Sequence, residues 1–170
     1  KLVEVIEKNT TALELNIIIP THGNKNWQRN YHYPEMGITF LAMDFGNPTE
    51  LGHGFSIYTF VNINLTHGKN FTLKFKFANS VGYISKFFDP ITNPRNLAVG
   101  SHFNGFVSLR LNAQLRLPDN LRMEMGFGLS HFSNGAMDLP NYGMNVITGN
   151  LGFGYHFNSK NIKLVPDTFT

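Results

Sequence analysis

From residue 121 onward the chain alternates: Leu121, Met123, Met125, Phe127 and Leu129 are apolar, and Arg122, Glu124, Gly126, Gly128 and Ser130 lie between them. A period of two marks a β-strand with one apolar face, because successive side chains on a strand point to opposite sides. The pattern recurs at Phe103, Val107, Leu109, Leu111, Ala113, Leu115 and Leu117, at Phe71, Leu73, Phe75 and Phe77, and at Phe55, Ile57, Val61, Ile63 and Leu65. It returns at Ile147, Leu151, Phe153, Tyr155 and Phe157, and residues 12–19 and 36–45 carry weaker versions. Seven strands are therefore expected. No stretch shows a helical period, a linker or a repeat of solenoid length.

Parity alone does not say whether the apolar face points into a barrel or out of it. A soluble lipocalin-like barrel turns it inward and covers the outside with Lys, Glu and Asp. Here the polar face is mostly Asn, Ser, Thr and Gly, and charged residues make up 15% of the 170 residues, against roughly 25% in soluble domains. Several alternating runs also exceed the ~5–6 residues of a typical soluble strand and reach the length a tilted membrane strand needs. The expectation is an all-β, eight-stranded antiparallel transmembrane β-barrel with its apolar face toward lipid. No apolar run approaches the ~18 residues of a membrane helix. The net charge is +3 and the bases are dispersed, which argues against nucleic acid as a partner. Without cysteine, disulfides, thiolate metal sites and cysteine nucleophiles are all excluded.

Loop lengths orient such a barrel, since outer-membrane barrels have short periplasmic turns and longer external loops. "THGKN" at 66–70 and "PDN" at 118–120 are short, whereas 86–100 and 134–142 are long; alternation puts 134–142 outside the cell. The connection 21–35 disagrees, being long on the periplasmic side. Barrels of this kind have an even strand number, so an eighth strand is expected either as a short first strand at 2–8 or ahead of Lys1. The chain opens without a signal segment, so a leader is expected to have been removed or the sequence to start inside the protein. The whole of 1–170 reads as one barrel domain, with 158–170 as a periplasmic tail.

One strand ends unusually, in "LSHFSNGAMDLPNYGMN" at 129–145. His131 and Ser133 continue the outward parity of Leu121 to Leu129, and Asn145 shares the parity of Ile147 and Leu151. Three polar groups thus converge on the lipid-facing wall near the external end. A serine hydroxyl becomes a nucleophile when a base takes its proton, and a third group orients that base. Residues i and i+2 on one strand face are roughly 6–7 Å apart, within side-chain reach. Acyl transfer from a lipid ester is the chemistry this suits. On spacing alone so short a motif favours the plainer reading, interfacial residues tolerating headgroups.

"HFSNGAMDLPNYGMN" resembles the signature of the outer-membrane lipid A 3-O-deacylases of the PagL type, a His-x-Ser-Asn stretch followed by Pro-Asn-x-Gly. The similarity is dense over 100–157 and thinner upstream, around "LGHGFSIYTFVNINL". The resemblance implies an eight-stranded barrel of the bacterial outer membrane that hydrolyses the ester-linked 3-O-acyl chain of lipid A, part of lipopolysaccharide, at its outer wall. It implies Ser133 as nucleophile, His131 as general base and Asn134 at the oxyanion hole, with the backbone N–H groups of Gly135 and Ala136 beside it. Neither a cofactor nor a metal is expected.

In one place the chain departs from that pattern. Two residues after the glycine matching Gly143 the family carries a glutamate, and here Asn145 stands there. An asparagine carbonyl accepts from a histidine Nδ1–H but cannot balance imidazolium charge, so a slower hydrolase or a silent relative is expected. Asp138 is the nearest substitute carboxylate, whereas Glu124 has lumen parity. His102 and His156 also have lumen parity; His22, His32, His53 and His67 lie in or beside connections and lack metal-ligand spacing. Trp27, Tyr31 and Tyr33 read as part of an interfacial aromatic belt. An eight-stranded barrel is filled by side chains, so no pore is expected. The competing class is a non-enzymatic barrel, either a silent membrane relative or a soluble lipid carrier; the sequence leaves the oligomeric state open, a homodimer included.

Overall fold

The computed structural model describes residues 5–66, 68–157 and 164–165. Seven strands, β1 (Thr11–Pro20), β2 (Glu35–Asp44), β3 (His53–Asn64), β4 (Phe71–Ile84), β5 (Phe103–Arg116), β6 (Leu121–Ser133) and β7 (Met144–Tyr155), follow one another in chain order. Every neighbouring pair is antiparallel. The sheet curls into a half-barrel that brings Glu14 of β1 against Arg110 of β5. All seven alternating runs are therefore strands. One short helix, α1 (Asn26–Asn30), sits in the β1–β2 connection. At five residues it is too brief to leave a helical period in the sequence.

Burial follows parity. On β1, Leu13, Leu15, Ile17 and Ile19 are each at least 65% exposed. Phe127 of β6 and Ile147 and Leu151 of β7 continue the same outward apolar band. So continuous an apolar outer surface marks a face meant to be covered by something apolar. The curled face holds the polar residues. Arg110 pairs with both oxygens of Glu14, its Nη1 lying 2.8 Å from Oε2. Tyr58 donates to Glu14 as well, at 2.9 Å. Toward the short-loop end Lys74 meets Glu35 at 2.7 Å.

The expectation of a mostly small, polar lumen needs amending at the long-loop end, where connections 45–52, 85–102 and 134–143 gather. There the inward positions are apolar: Phe132 meets Phe45 edge to face at 5.6 Å and Phe106 at 4.8 Å, with Ile84, Val99 and Leu51 buried around them. Burying such a phenylalanine contributes roughly 1.5–3 kcal/mol. Phe132 points inward between outward-facing His131 and Ser133, so this plug anchors the strand end that carries both.

Residues 5–8, part of the expected short first strand at 2–8, are not a strand. Val5 is buried, its carbonyl accepts from Asn47 Nδ2 at 2.8 Å, and Lys8 N donates to Gly46 O at 3.0 Å; residues 1–4 lie outside the described residues. Of the tail at 158–170 only Leu164 and Val165 are described. Val165 N donates to His22 O, and the Tyr33 hydroxyl donates to Val165 O, both at 2.9 Å. With seven strands among the described residues, the two edge strands β1 and β7 run in the same direction. Among the described residues they do not pair, and a cleft of about 890 Å³ separates them.

Candidate active site

The end of β6 and the connection 134–143 form the site. In the register, His131 stands opposite Asn145 of β7 on one side and Val107 of β5 on the other. His131 Nδ1 and Asn145 Oδ1 are 2.8 Å apart. With the Asn145 oxygen as acceptor, the proton sits on Nδ1, and Nε2 is left as the basic nitrogen. Two positions along the same face, Ser133 Oγ accepts from Asn141 Nδ2 at 2.8 Å and from Gly135 N at 3.2 Å. Among the described residues its partners are these loop donors and not His131.

Local backbone geometry explains how the loop reaches the serine. Gly135 and Ala136 both have positive φ, +66° and +62°, and Met137 N closes the turn on Asn134 O at 3.4 Å. Two successive left-handed residues make a type I′ turn. Glycine adopts that conformation freely; for Ala136 it is strained, a condition that clusters at functional sites. Successive N–H groups in such a turn form a concavity suited to an anion. Gly143, at φ +74°, packs so close to the imidazole that a Cβ there would lie 2.7 Å from His131 Cε1. A side chain at 143 is therefore disfavoured both by backbone and by space.

Asn134 is buried and faces away from the serine. Its Nδ2 donates to Asp138 O at 2.9 Å and to Ser101 Oγ at 3.1 Å, and its backbone N donates to Asn141 Oδ1 at 3.2 Å. Asn141 thus clamps the turn with its oxygen and the serine with its nitrogen. The sequence reading did not single it out, although it lies within the Pro-Asn-x-Gly stretch. Asp138 contributes its carbonyl to the loop, and His131 Nδ1 is already taken by Asn145. Glu124 accepts from Asn112 Nδ2 inside the lumen at 2.7 Å, in keeping with its parity.

The connection 85–102 holds this loop in place. Asn96 is fully buried; its Nδ2 donates to Glu50 O at 2.9 Å and Lys86 O at 3.1 Å, and its Oδ1 accepts from Ala98 N at 3.2 Å. The adjoining carbonyls of Leu97 and Ala98 accept from Tyr142 N at 3.2 Å and Gly143 N at 2.9 Å. A backbone anchored this way keeps Asn141 and Gly143 in position beside Ser133 and His131. His102 belongs to the same region: its Nδ1 lies 2.7 Å from Ile84 O and its ring stacks on Tyr83 at 5.0 Å.

The arrangement is an outward-facing hydroxyl with two donors on its oxygen, next to an imidazole oriented by an amide carbonyl. Such a set serves acyl transfer. A family model described as lipid A 3-O-deacylase (PagL) matches residues 11–156, which takes in all seven strands and the whole site. No curated protein and no solved structure matches the chain. The protein belongs to the lipid A 3-O-deacylase (PagL) family.

Proposed function

We propose that this protein is a serine esterase that removes the 3-O-acyl chain of lipid A at the outer leaflet of the bacterial outer membrane. One observation carries the reading: the His131–Asn145 hydrogen bond of 2.8 Å lies on the apolar outer wall, beside a serine whose oxygen already holds two donors. An active site on that wall meets membrane lipid rather than dissolved substrate. The family is one of lipid A 3-O-deacylases.

In this mechanism Ser133 Oγ attacks the ester carbonyl while His131 Nε2 takes its proton. The carbonyl oxygen becomes an oxyanion beside the donors that rest on the hydroxyl in the free enzyme. Asn141 Nδ2 and the N–H groups of Gly135 and Ala136 then stabilise it, and each such donor is worth about 10²–10³ in rate. Asn134 shapes the turn from behind. The imidazolium returns its proton to the sugar oxygen as the C–O bond breaks, which leaves acyl-Ser133. Water attacks the acyl-enzyme with His131 again as base and releases the fatty acid. Asn145 holds the imidazole tautomer throughout without supplying charge.

The barrel that presents this wall is closed, in our reading, by an eighth strand between β1 and β7. Because those edges run in the same direction, one strand antiparallel to both completes an all-antiparallel barrel. An open edge in lipid would leave its N–H and C=O groups unpaired, at several kcal/mol each. Thr148 Oγ1 and Asn150 Oδ1 of β7, buried without hydrogen-bond partners, favour such an addition. The whole chain then forms one domain, with residues 158–170 on the periplasmic side.

Mass spectrometry of lipid A incubated with the detergent-solubilised protein tests the activity. The parent protein is expected to release one hydroxyacyl chain and Ser133→Ala none, with both migrating as heat-modifiable folded barrels. Ester cleavage by folded Ser133→Ala refutes the assignment.

A further inference from the structure

Two glycines on the outer wall, Gly105 and Gly149, are less crowded than Gly126 and Gly128 inside. Among lumen-facing strand glycines, a Cβ on Gly126 would lie 2.1 Å from Asn112 Oδ1, and one on Gly128 would lie 2.3 Å from Arg110 Cγ. Gly105 and Gly149 point outward instead. A Cβ on Gly149 would just touch Gly126 O at 4.0 Å; one on Gly105 would meet Ser133 O alone, at 3.3 Å, a tight contact that asks the backbone to give slightly. Neither has a positive φ. Glycine weakens a strand interior, and where no turn or bulge requires it, it often marks close approach by another molecule.

Gly105 stands beside the nucleophile. In the register it pairs with Ser133 of β6 on one side and Val81 of β4 on the other. On its own strand the next outward residues are Phe103, toward the long-loop end, and Val107, which stands opposite His131. The register therefore borders the bare Gly105 position with Val81, Phe103 and Val107 on the apolar side and with Ser133 on the other, an alcove with no side chain of its own. The opposite flank of the serine offers less room, because Gly143 is packed against the imidazole. All three walls are apolar, so they suit methylene groups rather than sugar hydroxyls.

We infer that the Gly105 alcove seats the first methylenes of the scissile fatty acyl chain and makes Gly105 a determinant of specificity for long-chain esters. The inference rests on Ser133 being the nucleophile. A side chain at 105 fills the alcove, whereas one at Gly149, opposite Phe127 six residues further along β6, leaves it open.

Alkyl fluorophosphonates test this without requiring full turnover. Ser133 Oγ forms a bond to phosphorus, fluoride leaves, and the hydroxyl proton passes to His131. Labelling rates are read by intact mass for a short-chain and a long-chain reagent, on the parent, Gly105→Ala, Gly105→Leu, Gly149→Leu and Ser133→Ala. The expected result is that Gly105→Leu slows the long-chain reagent by about tenfold or more, leaves the short-chain reagent unchanged and migrates as a folded barrel. Gly105→Ala is expected to fall between, and Gly149→Leu to match the parent. Equal slowing of both reagents, no slowing of either, or slowing by Gly149→Leu instead overturns the alcove while leaving the nucleophile intact. Failure of both reagents to label the parent, or labelling that persists in Ser133→Ala, overturns the esterase reading itself.

Discussion

Replacing Asn145 by glutamate isolates what a charge contributes at this site. Asn145 Oδ1 already lies 2.8 Å from His131 Nδ1, so the tautomer is set and the substitution adds only a carboxylate beside the imidazolium that forms when Ser133 gives up its proton. Opposite charges about 4 Å apart interact by about 1 kcal/mol in a water-like medium and about 4 kcal/mol at an effective dielectric near 20. At about 1.4 kcal/mol per tenfold, that spans about fivefold to about a thousandfold in rate. His131 is half-buried and Asn145 is exposed, which puts the expected gain near the lower part of that span, at about tenfold to a hundredfold. The reverse change in serine proteases, acid to amide, costs about 10⁴ in kcat, a loss that includes the wrong tautomer. Since the tautomer is already correct here, the gain should stay below that figure. The assay is release of hydroxyacyl chain from lipid A, followed over time by mass spectrometry for the parent, Asn145→Glu and Asn145→Ala. Asn145→Ala should be slower than the parent because it loses the acceptor. If folded Asn145→Glu is no faster than the parent, or if Asn145→Ala matches it, Asn145 does not act on the base and the proposed triad falls.

Two further substitutions separate the site from its scaffold. Asn141→Ala removes the 2.8 Å donor to Ser133 Oγ and is expected to lower kcat by about 10²–10³ with little change in KM; an unchanged kcat in steady-state deacylation excludes Asn141 as an oxyanion donor. Glu14→Ala strips Arg110, Lys76 and Tyr58 of their shared carboxylate and is expected to cost about 3–5 kcal/mol of stability. Urea unfolding of the detergent-solubilised barrel reads that loss, and a midpoint equal to the parent's shows that the network contributes nothing.

Strand order and face were legible because both depend on a local rule. Period two assigns each residue a side, and neighbours in sequence are enough to detect it, so even the weak runs at 12–19 and 36–45 appear as β1 and β2. The same rule put His131, Ser133 and Asn145 on one wall, and the register then set His131 against Asn145. Parity is silent about depth along the lumen. Nothing local announces that Phe45, Phe106 and Phe132, from three different strands or loops, meet in one plug, since that meeting requires the sheet to curl. Nor does parity reach into a loop. The link between Asn141 and Ser133 depends on two left-handed residues at 135 and 136, and on carbonyls at 97 and 98 that belong to another connection entirely. Of those two residues only Gly135 is of a type that hints at such a turn; Ala136 gives no sign of it.

Loop and strand divide the chemistry along the same line. His131 and Asn145, the base and its orienting partner in the proposed mechanism, sit on paired strands, where the ladder fixes their spacing to within a hydrogen bond. The donors to Ser133 Oγ, Asn141 and Gly135, sit on a loop whose own hydrogen bonds run to Ser101 and to the backbone at 97 and 98. In the proposed mechanism the donors transfer from the serine oxygen to the carbonyl oxygen during attack, and they sit on the element that already brings them to Ser133. The inward Phe132 between His131 and Ser133 ties the two parts together, because it is packed against Phe45 and Phe106 in the plug. If Ser133 acts as proposed, damage to the plug should therefore reach the activity through the geometry of Ser133.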